Sequence, residues 1–421
     1  VMHGQLDEWI GNLPADWDAV KTKMLFKILK RQVPHKGQTI LSITQRGIRP
    51  RNISENEGQM AGNYDGYQEV FAGDFAMNSM DLLTGWVDQS PYDGLTSPDY
   101  RVFAPTEPGR VHGPFYSYVF QSLYSRRIYY KYGQGVSNMG RWRLPAQTFL
   151  NFPLPNPSLT EQQTIVEFLD VKTAEIDGLV GKMARQIELL ERYRRELIAR
   201  TVTRGLDPDA PMKDSGIDWI DMAPAAWKTA SISVVTDENK AKNVDLSEKN
   251  LLSLSYGRVI RKDIDLAFGL LPASFDSYQI VEPGYIVLRM TDLQNDKRSL
   301  RSALAEERGI ITSAYIGLKV RGPIVSKYLA WLLRFYDLAK VFYSLGGGVR
   351  QSANYEEISK IPILVPPEDE QQKIADFLEE KSAQIESTIK GIKRQIELLG
   401  RYRKQVINDL VTGKVRVGEV E

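Results

Sequence analysis

The chain has no cysteine, which removes disulfides, thiolate metal sites and cysteine nucleophiles at once. Histidine is nearly absent: His3, His35 and His112 stand in unrelated contexts and none has metal-ligand spacing, so no metal site is expected. No apolar run approaches the roughly 18 to 20 residues that cross a bilayer, and Val1-Met2-His3-Gly4 opens no signal-peptide core; a cytoplasmic location is the expectation. Excess charge of one sign is missing too. A formal charge of +1 counts against a uniformly basic nucleic-acid binder and leaves the local charge distribution to decide.

Catalytic signatures are also missing. There is no Gly-x-Ser-x-Gly elbow, no zinc-protease His-Glu pair and no Asn-Pro-Pro-Tyr of adenine methyltransferases, which Asn156-Pro157-Ser158 does not complete. Glu379-Glu380-Lys381 has the acid-x-Lys form of many nucleases. Its counterpart in a repeated segment is Asp170-Val171-Lys172, so the surface of a helix explains it better. No catalytic residue is assigned.

What the chain does have is length and repetition. With 421 residues it can hold two to four domains, each with its own core. Glu161-Gln162-Gln163 recurs as Glu370-Gln371-Gln372, 209 residues later, and the register holds through a shared Arg-Gln-Ile-Glu-Leu-Leu-x-Arg-Tyr-Arg. The rest repeats more faintly. Trp9-Ile10 with Pro14 and Trp17 matches Trp219-Ile220 with Pro224 and Trp227, and Ile40 to Ile43 leading to Arg51 matches Leu251 to Leu254 leading to Lys262. Each half is therefore a variable globular domain followed by a near-constant segment.

The constant segments read as helices. Both follow proline-rich stretches and contain no proline themselves; Thr160 and Asp369, with Gln163 and Gln372 three residues on, have capping-box spacing, and Gly205 and Gly413 are the expected stops. Leu169, Ile176, Met183, Leu190 and Leu197 fall every seven residues, as do Leu378, Ile385, Ile392, Leu399 and Val406. One such stripe alone could face an ordinary core. Two near-copies favour mutual pairing as an antiparallel coiled coil, with a pseudo-twofold relation between the halves.

The variable domains look mixed. Strand-like runs at 39–44, 69–77, 251–255 and 285–290 alternate with helical spacing at 114–132 and 323–345, each of these last ending at a glycine, so the expected class is α+β. Charge in them is uneven. No acid occurs from Ala19 to Ser54, where Arg46, Arg49 and Arg51 close a basic series, nor from Pro108 to Thr160, where Arg126, Arg127, Lys131 and Arg141 are interleaved with tyrosines. Acid-free stretches suit a phosphate-facing surface, although tyrosines at helical spacing also suit a core. The second domain places Arg258, Arg261 and Lys262 in the region of Arg49 and Arg51. Late loops, Gly133 to Asn138 and Gly346 to Ser352, bring Asn138, Arg350, Gln351 and the nearby Asn354, residue types able to read base edges; a plain hairpin turn is the alternative.

Taken together these motifs resemble the specificity subunits of Type I restriction–modification systems. The resemblance covers essentially the whole chain. It is carried by Gly205-Leu206-Asp207-Pro208 running on to Met212-Lys213-Asp214-Ser215-Gly216-Ile217-Asp218-Trp219-Ile220, then Pro224 and Trp227, by the two Glu-Gln-Gln helices, and by Val411-Thr412-Gly413-Lys414. Trp9, Pro14, Trp17 and Gly94-Leu95-Thr96-Ser97-Pro98 before Tyr100 also fit. It implies target-recognition domains at 1–158 and, with a linker, 206–367, spacer helices at 159–205 and 368–413, and a tail at 414–421. Each recognition domain would read half of a bipartite site in double-stranded DNA. The helices would set the spacing and bind two modification (methyltransferase) subunits that carry S-adenosylmethionine and methylate adenine. Restriction subunits would add ATP- and magnesium-dependent translocation and cleavage, and this chain would hold no cofactor. The readings of another class are a coiled-coil scaffold and a self-contained methyltransferase or nuclease.

Overall fold

The computed structural model describes residues 9–52, 63–135, 142–262, 274–296, 300–345 and 351–420. The chain divides into two units, one of residues 1–183 with 394–421 and the other of residues 184–393. The class is α+β: two mixed domains and two long antiparallel helices, with an internal repeat.

In the first unit an antiparallel four-stranded sheet runs in the order Phe26–Leu29, Arg101–Pro105, Phe75–Met77, Val87–Gln89. The helix Gly113–Ser125 covers it because Phe115, Tyr116, Val119, Phe120 and Leu123 recur at helical spacing and are fully buried. Phe120 meets Phe26, Phe75 and Phe103 edge-on with ring centroids 5.3–5.8 Å apart. The second unit repeats the plan. Its sheet is Thr236–Glu238, Ile316–Val320, Ile286–Leu288, Ser302–Leu304, covered by Ser326–Leu338 with Tyr328, Leu329, Leu332, Leu333 and Tyr336 inward. Each domain is closed at its base by one more antiparallel pair, Asp18–Lys21 with Pro153–Asn156 and Lys228–Ser231 with Pro362–Val365.

Two local expectations need correction. The strand-like run at 69–77 is broken into Tyr67–Val70 and Phe75–Met77, because Gly73 turns the chain at φ 95°. The helical runs are broken rather than continuous: the helices end at Ser125 and Leu338, Arg127 and Lys340 take left-handed conformations at φ 58° and 65°, and the short helix Ile128–Lys131 and the 3-10 turn Val341–Ser344 carry the runs on.

The long helices span Leu159–Arg204 and Glu368–Val411. The expected capping boxes do not form. Ser158 Oγ accepts the Glu161 N–H at 3.2 Å, and in the second half the Pro367 carbonyl accepts the N–H of Glu370 and of Gln371, each at 3.0 Å. Helix therefore begins before Thr160 and Asp369, and both lie inside it. At the far ends Gly205 and Gly413 have φ 75° and 70°, where glycine closes a helix at no steric cost.

The heptad rows face inward. Leu169, Ile176, Leu378, Ile385, Ile392 and Val406 are buried, while Met183, Leu190, Leu197 and Leu399 are half-buried. In the first unit Leu169 shares a core with Val406, Ile407 and Leu410, and Arg403 donates to Asp177 at 3.0 and 3.3 Å. In the second, Leu197, Ile198 and Val202 pack with Ile374, Ala375 and Leu378. The start of each long helix thus lies against the end of the other.

Candidate nucleic-acid interface

Both domains carry a two-stranded hairpin at the same place in their topology. The first is Leu41–Thr44 with Gly47–Pro50, the second Leu252–Ser255 with Arg258–Arg261. Alternation puts one face of each hairpin in a core: Leu41, Ile43 and Ile48 pack with Val70, Ala76 and Val102, and Leu252 and Val259 with Val281, Val287 and Ile311. The backbone ties match as well. Arg51 N–H donates to the Ile40 carbonyl and Lys262 N–H to the Leu251 carbonyl, both at 2.8 Å, so Arg51 and Lys262 are true counterparts.

The outward faces are basic, with a difference in state. Arg46 and Arg49 are exposed and form no ion pair among the described residues; the Arg49 Nε–H donates only to the Arg46 carbonyl, at 3.3 Å. Arg51 is half-buried. In the second hairpin Arg258 is paired with Glu386 of the long helix, and Arg261 makes a forked pair with Glu307 at 2.8 and 2.7 Å. The Arg261 guanidinium holds the Glu307 carboxyl below the usual carboxylate range. Lys262 is exposed and forms no ion pair among the described residues. Arg46 and Arg49 thus stand exposed without a carboxylate partner among the described residues, whereas an anion at Arg258 or Arg261 must compete with one.

Other expected site residues fare differently. Gln351 is occupied internally, its amide donating to the carbonyls of Tyr343 at 3.1 Å and Leu345 at 2.6 Å. Asn354 caps the short helix Tyr355–Ser359 in a reciprocal box with Glu357, at 3.0 Å in each direction. Both side chains therefore have local structural work, and the hairpins are the stronger candidates for contact. Asn138, Arg141 and Arg350 lie outside the described residues. The tyrosines of the second acid-free stretch belong largely to the core: Tyr116, Tyr124 and Tyr129 are buried, and burial pushes the Tyr116 and Tyr124 hydroxyls well above their ordinary pKa. Arg126 in that stretch is bonded to Asn408.

The repeated Glu-Gln-Gln turns out to be a tether between helix and domain. Gln162 is fully buried; its oxygen accepts the His112 N–H at 2.7 Å and its amide donates to the carbonyls of Pro157 and Arg110 at 3.0 and 3.2 Å. Gln371 does the same with the Val325 N–H at 2.7 Å and the carbonyls of Pro366 and Pro323 at 2.8 and 3.0 Å. The sequence signal is present, since Gln162 and Gln371 repeat at equivalent places, but capping-box spacing points to their neighbours instead. Sequence reasoning also misses Arg334, half-buried on the helix over the second sheet, which donates to the carbonyls of Gly257 in the hairpin turn and of Ser302. Burial pushes its pKa down to about 10.

Among the described residues no helix is long and apolar enough to cross a membrane, and no group of three or more acidic or histidine side chains is placed to hold a metal ion.

The family model described as the Type I restriction modification DNA specificity domain matches residues 314–398. The chain is 20% identical, over 97% of its length and 96% of the relative's, to a Methanocaldococcus jannaschii protein assigned to the type I restriction enzyme MjaX as its specificity subunit. It is 23% identical, over 71% of its length and 70% of the relative's, to the MjaVIII specificity subunit of the same organism. Its fold is similar to a chain of a solved type I R-M system, with a TM-score of 0.70 at 13% identity over 96% of this chain and 100% of that one. It is similar also to the HsdS subunit from Thermoanaerobacter tengcongensis, with a TM-score of 0.54 at 14% identity over 96% and 98%.

Proposed function

Because the chain belongs to the family of Type I restriction–modification DNA specificity subunits, we propose that it is the non-catalytic reader of a bipartite DNA site. One observation carries this reading. Two domains of the same plan each present a basic hairpin, and each is held by the same buried glutamine tether to one of two antiparallel helices. A scaffold without DNA would need neither hairpin, and a self-contained methyltransferase or nuclease would need chemistry that the sequence motifs do not supply.

On this reading each domain reads one half-site and the helices act as the spacer. A helix of 46 residues is about 69 Å long at about 1.5 Å per residue. The complex takes S-adenosylmethionine, ATP and magnesium through its other subunits, and this chain contributes recognition.

Two copies of the modification subunit are expected, for a reason found on the helix surface. The repeated Arg-Gln-Ile-Glu-Leu-Leu-x-Arg-Tyr-Arg leaves Leu189 and Tyr193 exposed in one unit and Leu398 and Tyr402 exposed in the other. Apolar pairs one helical turn apart, left in water, mark partner surfaces, and two like surfaces take two like partners. The decisive test is sequencing of methylated DNA from cells carrying the chain with its modification subunits. A bipartite methylated motif that disappears when this chain is deleted is the expected result; methylation without it would refute the assignment.

A further inference from the structure

We propose that the ring of Tyr256 is a specificity-determining contact of the second recognition domain, laid against the bases of its half-site. The inference rests on the reading of the chain as a DNA specificity subunit and names a residue which that reading leaves unassigned.

Tyr256 and Gly257 form the two-residue turn of the second hairpin, closed by the pairing of Ser255 with Arg258. Both turn residues are left-handed, at φ 45° and 73°. Such a turn favours asparagine or glycine first and glycine second, and a tyrosine in the first place is strained by its Cβ. Packing does not offset that strain. The side chain is 88% exposed, and it makes no ring contact or hydrogen bond among the described residues. Backbone strain that packing does not offset clusters at ligand-contact sites.

The support beneath the ring is rigid. The half-buried Arg334 holds the Gly257 carbonyl and, at 2.8 Å, that of Ser302. A Cβ on Gly257 would fall 2.1 Å from an Arg334 nitrogen, so only glycine permits this clamp. The hairpin's inward face is fixed by Leu252 and Leu254. Arg258 and Arg261 follow on the same strand and Lys262 just beyond it, so the ring projects beside the cations that would hold phosphate.

The first domain supplies the comparison that favours base contact. Where the hairpins anchor the backbone the halves agree, with Arg51 matching Lys262. At the tip they differ: the first turn is Gln45-Arg46, and the left-handed position falls to Gly47 at φ 94°. Glutamine and arginine recognise adenine and guanine edges by paired hydrogen bonds, whereas a tyrosine ring offers stacking on an opened step or apolar contact with a thymine methyl. Domains that read different half-sites must be alike where they hold phosphate and unlike where they read bases.

The experiment maps methylated sites in cells expressing the complete system at limiting level, with the host genome as the probe and three versions of this chain. Tyr256→Asn removes the ring and supplies a side chain suited to the turn. Tyr256→Phe keeps the ring and removes only the hydroxyl. The Asn variant should melt at or above the wild-type temperature in the assembled complex, yet lose about tenfold in methylation at wild-type sites or relax one base position of the second half-site, with the first half-site unchanged. The Phe variant should match wild type. An Asn variant that methylates the original sites to the original extent, or a Phe variant as impaired as Asn, would overturn the proposal. A wild-type system with no bipartite motif at all would instead overturn the functional reading beneath it.

Discussion

The indole of Trp17 donates to the carboxylate of Glu161 across 2.8 Å, joining the start of the first domain to the start of the helix that follows it. Trp227 does the same to Glu370 across 2.9 Å. The two clasps differ in one respect, since Glu161 also receives Arg416, which in turn binds Asp16 and lies 5.4 Å from the centre of the Trp17 ring. Removing the carboxylate should therefore cost more in the first half. Glu161→Ala is expected to destabilise by about 2 kcal/mol and Glu370→Ala by about 1 kcal/mol. Urea denaturation of the two variants checks the order, and equal losses would mean that Arg416 contributes nothing.

Salt dependence should distinguish the two hairpins. Replacing Arg46 and Arg49 with alanine should weaken duplex binding uniformly across sequences and lower the slope of log K against log salt by about one for each phosphate no longer neutralised. Arg261 begins paired with Glu307, so Glu307→Gln should free it and tighten binding several-fold at low salt. Titrations of the assembled complex at several ionic strengths read both effects. An unchanged slope for the first pair would place the hairpin away from DNA.

Partner stoichiometry should follow the exposed leucine–tyrosine pairs. Leu189→Glu with Tyr193→Glu should remove one modification subunit, and Leu398→Glu with Tyr402→Glu the other. Native mass spectrometry of each variant should show one copy fewer than the wild-type complex. Retention of both copies would move the docking surface elsewhere.

Spacer length should follow helix length. Four residues inserted into the first long helix add about 6 Å, and on DNA that rises about 3.4 Å per base pair the recognised spacer should lengthen by one or two base pairs with both half-sites unchanged. Mapping of methylated sites for the insertion variant reads this directly. An active variant that keeps the original spacing would assign the spacing to the partner subunits.

Much of this fold can be read from the residues because duplication makes physical constraints visible twice. A seven-residue apolar row seen once has several explanations; Leu169 to Leu197 and Leu378 to Val406 narrow them, and both rows face inward. Of each hairpin only the first strand is legible, within the strand-like runs 39–44 and 251–255, together with the basic residues that follow it. The site chemistry is less so, because charge in the sequence does not reveal its partner. Arg261 looks as free as Arg49 until the fold brings Glu307, 46 residues away, against it. Gln351 and Asn354 likewise look like base readers because amides suit both bases and backbone, and only the folded chain shows their local bonds. Tyr256 is silent in the sequence because a lone tyrosine in a turn carries no pattern; its φ and exposure give it away.

The C-terminal segment sets an order of events during synthesis. Residues 394–421 belong to the unit that begins with the first residues, where Gly413 lies against Pro14 and Trp17 and Arg416 reaches Asp16 and Glu161. The unit of residues 184–393 is complete in sequence before that segment is made. Ribosomes add about 5 to 20 residues per second, so the N-terminal unit is made first and finished last, exposing the patch around Trp17 and Leu169 for roughly ten to fifty seconds. Truncation near Arg394 should thus damage the unit of residues 1–183 more than that of residues 184–393, and a chaperone that shelters nascent chains should bind the first of these.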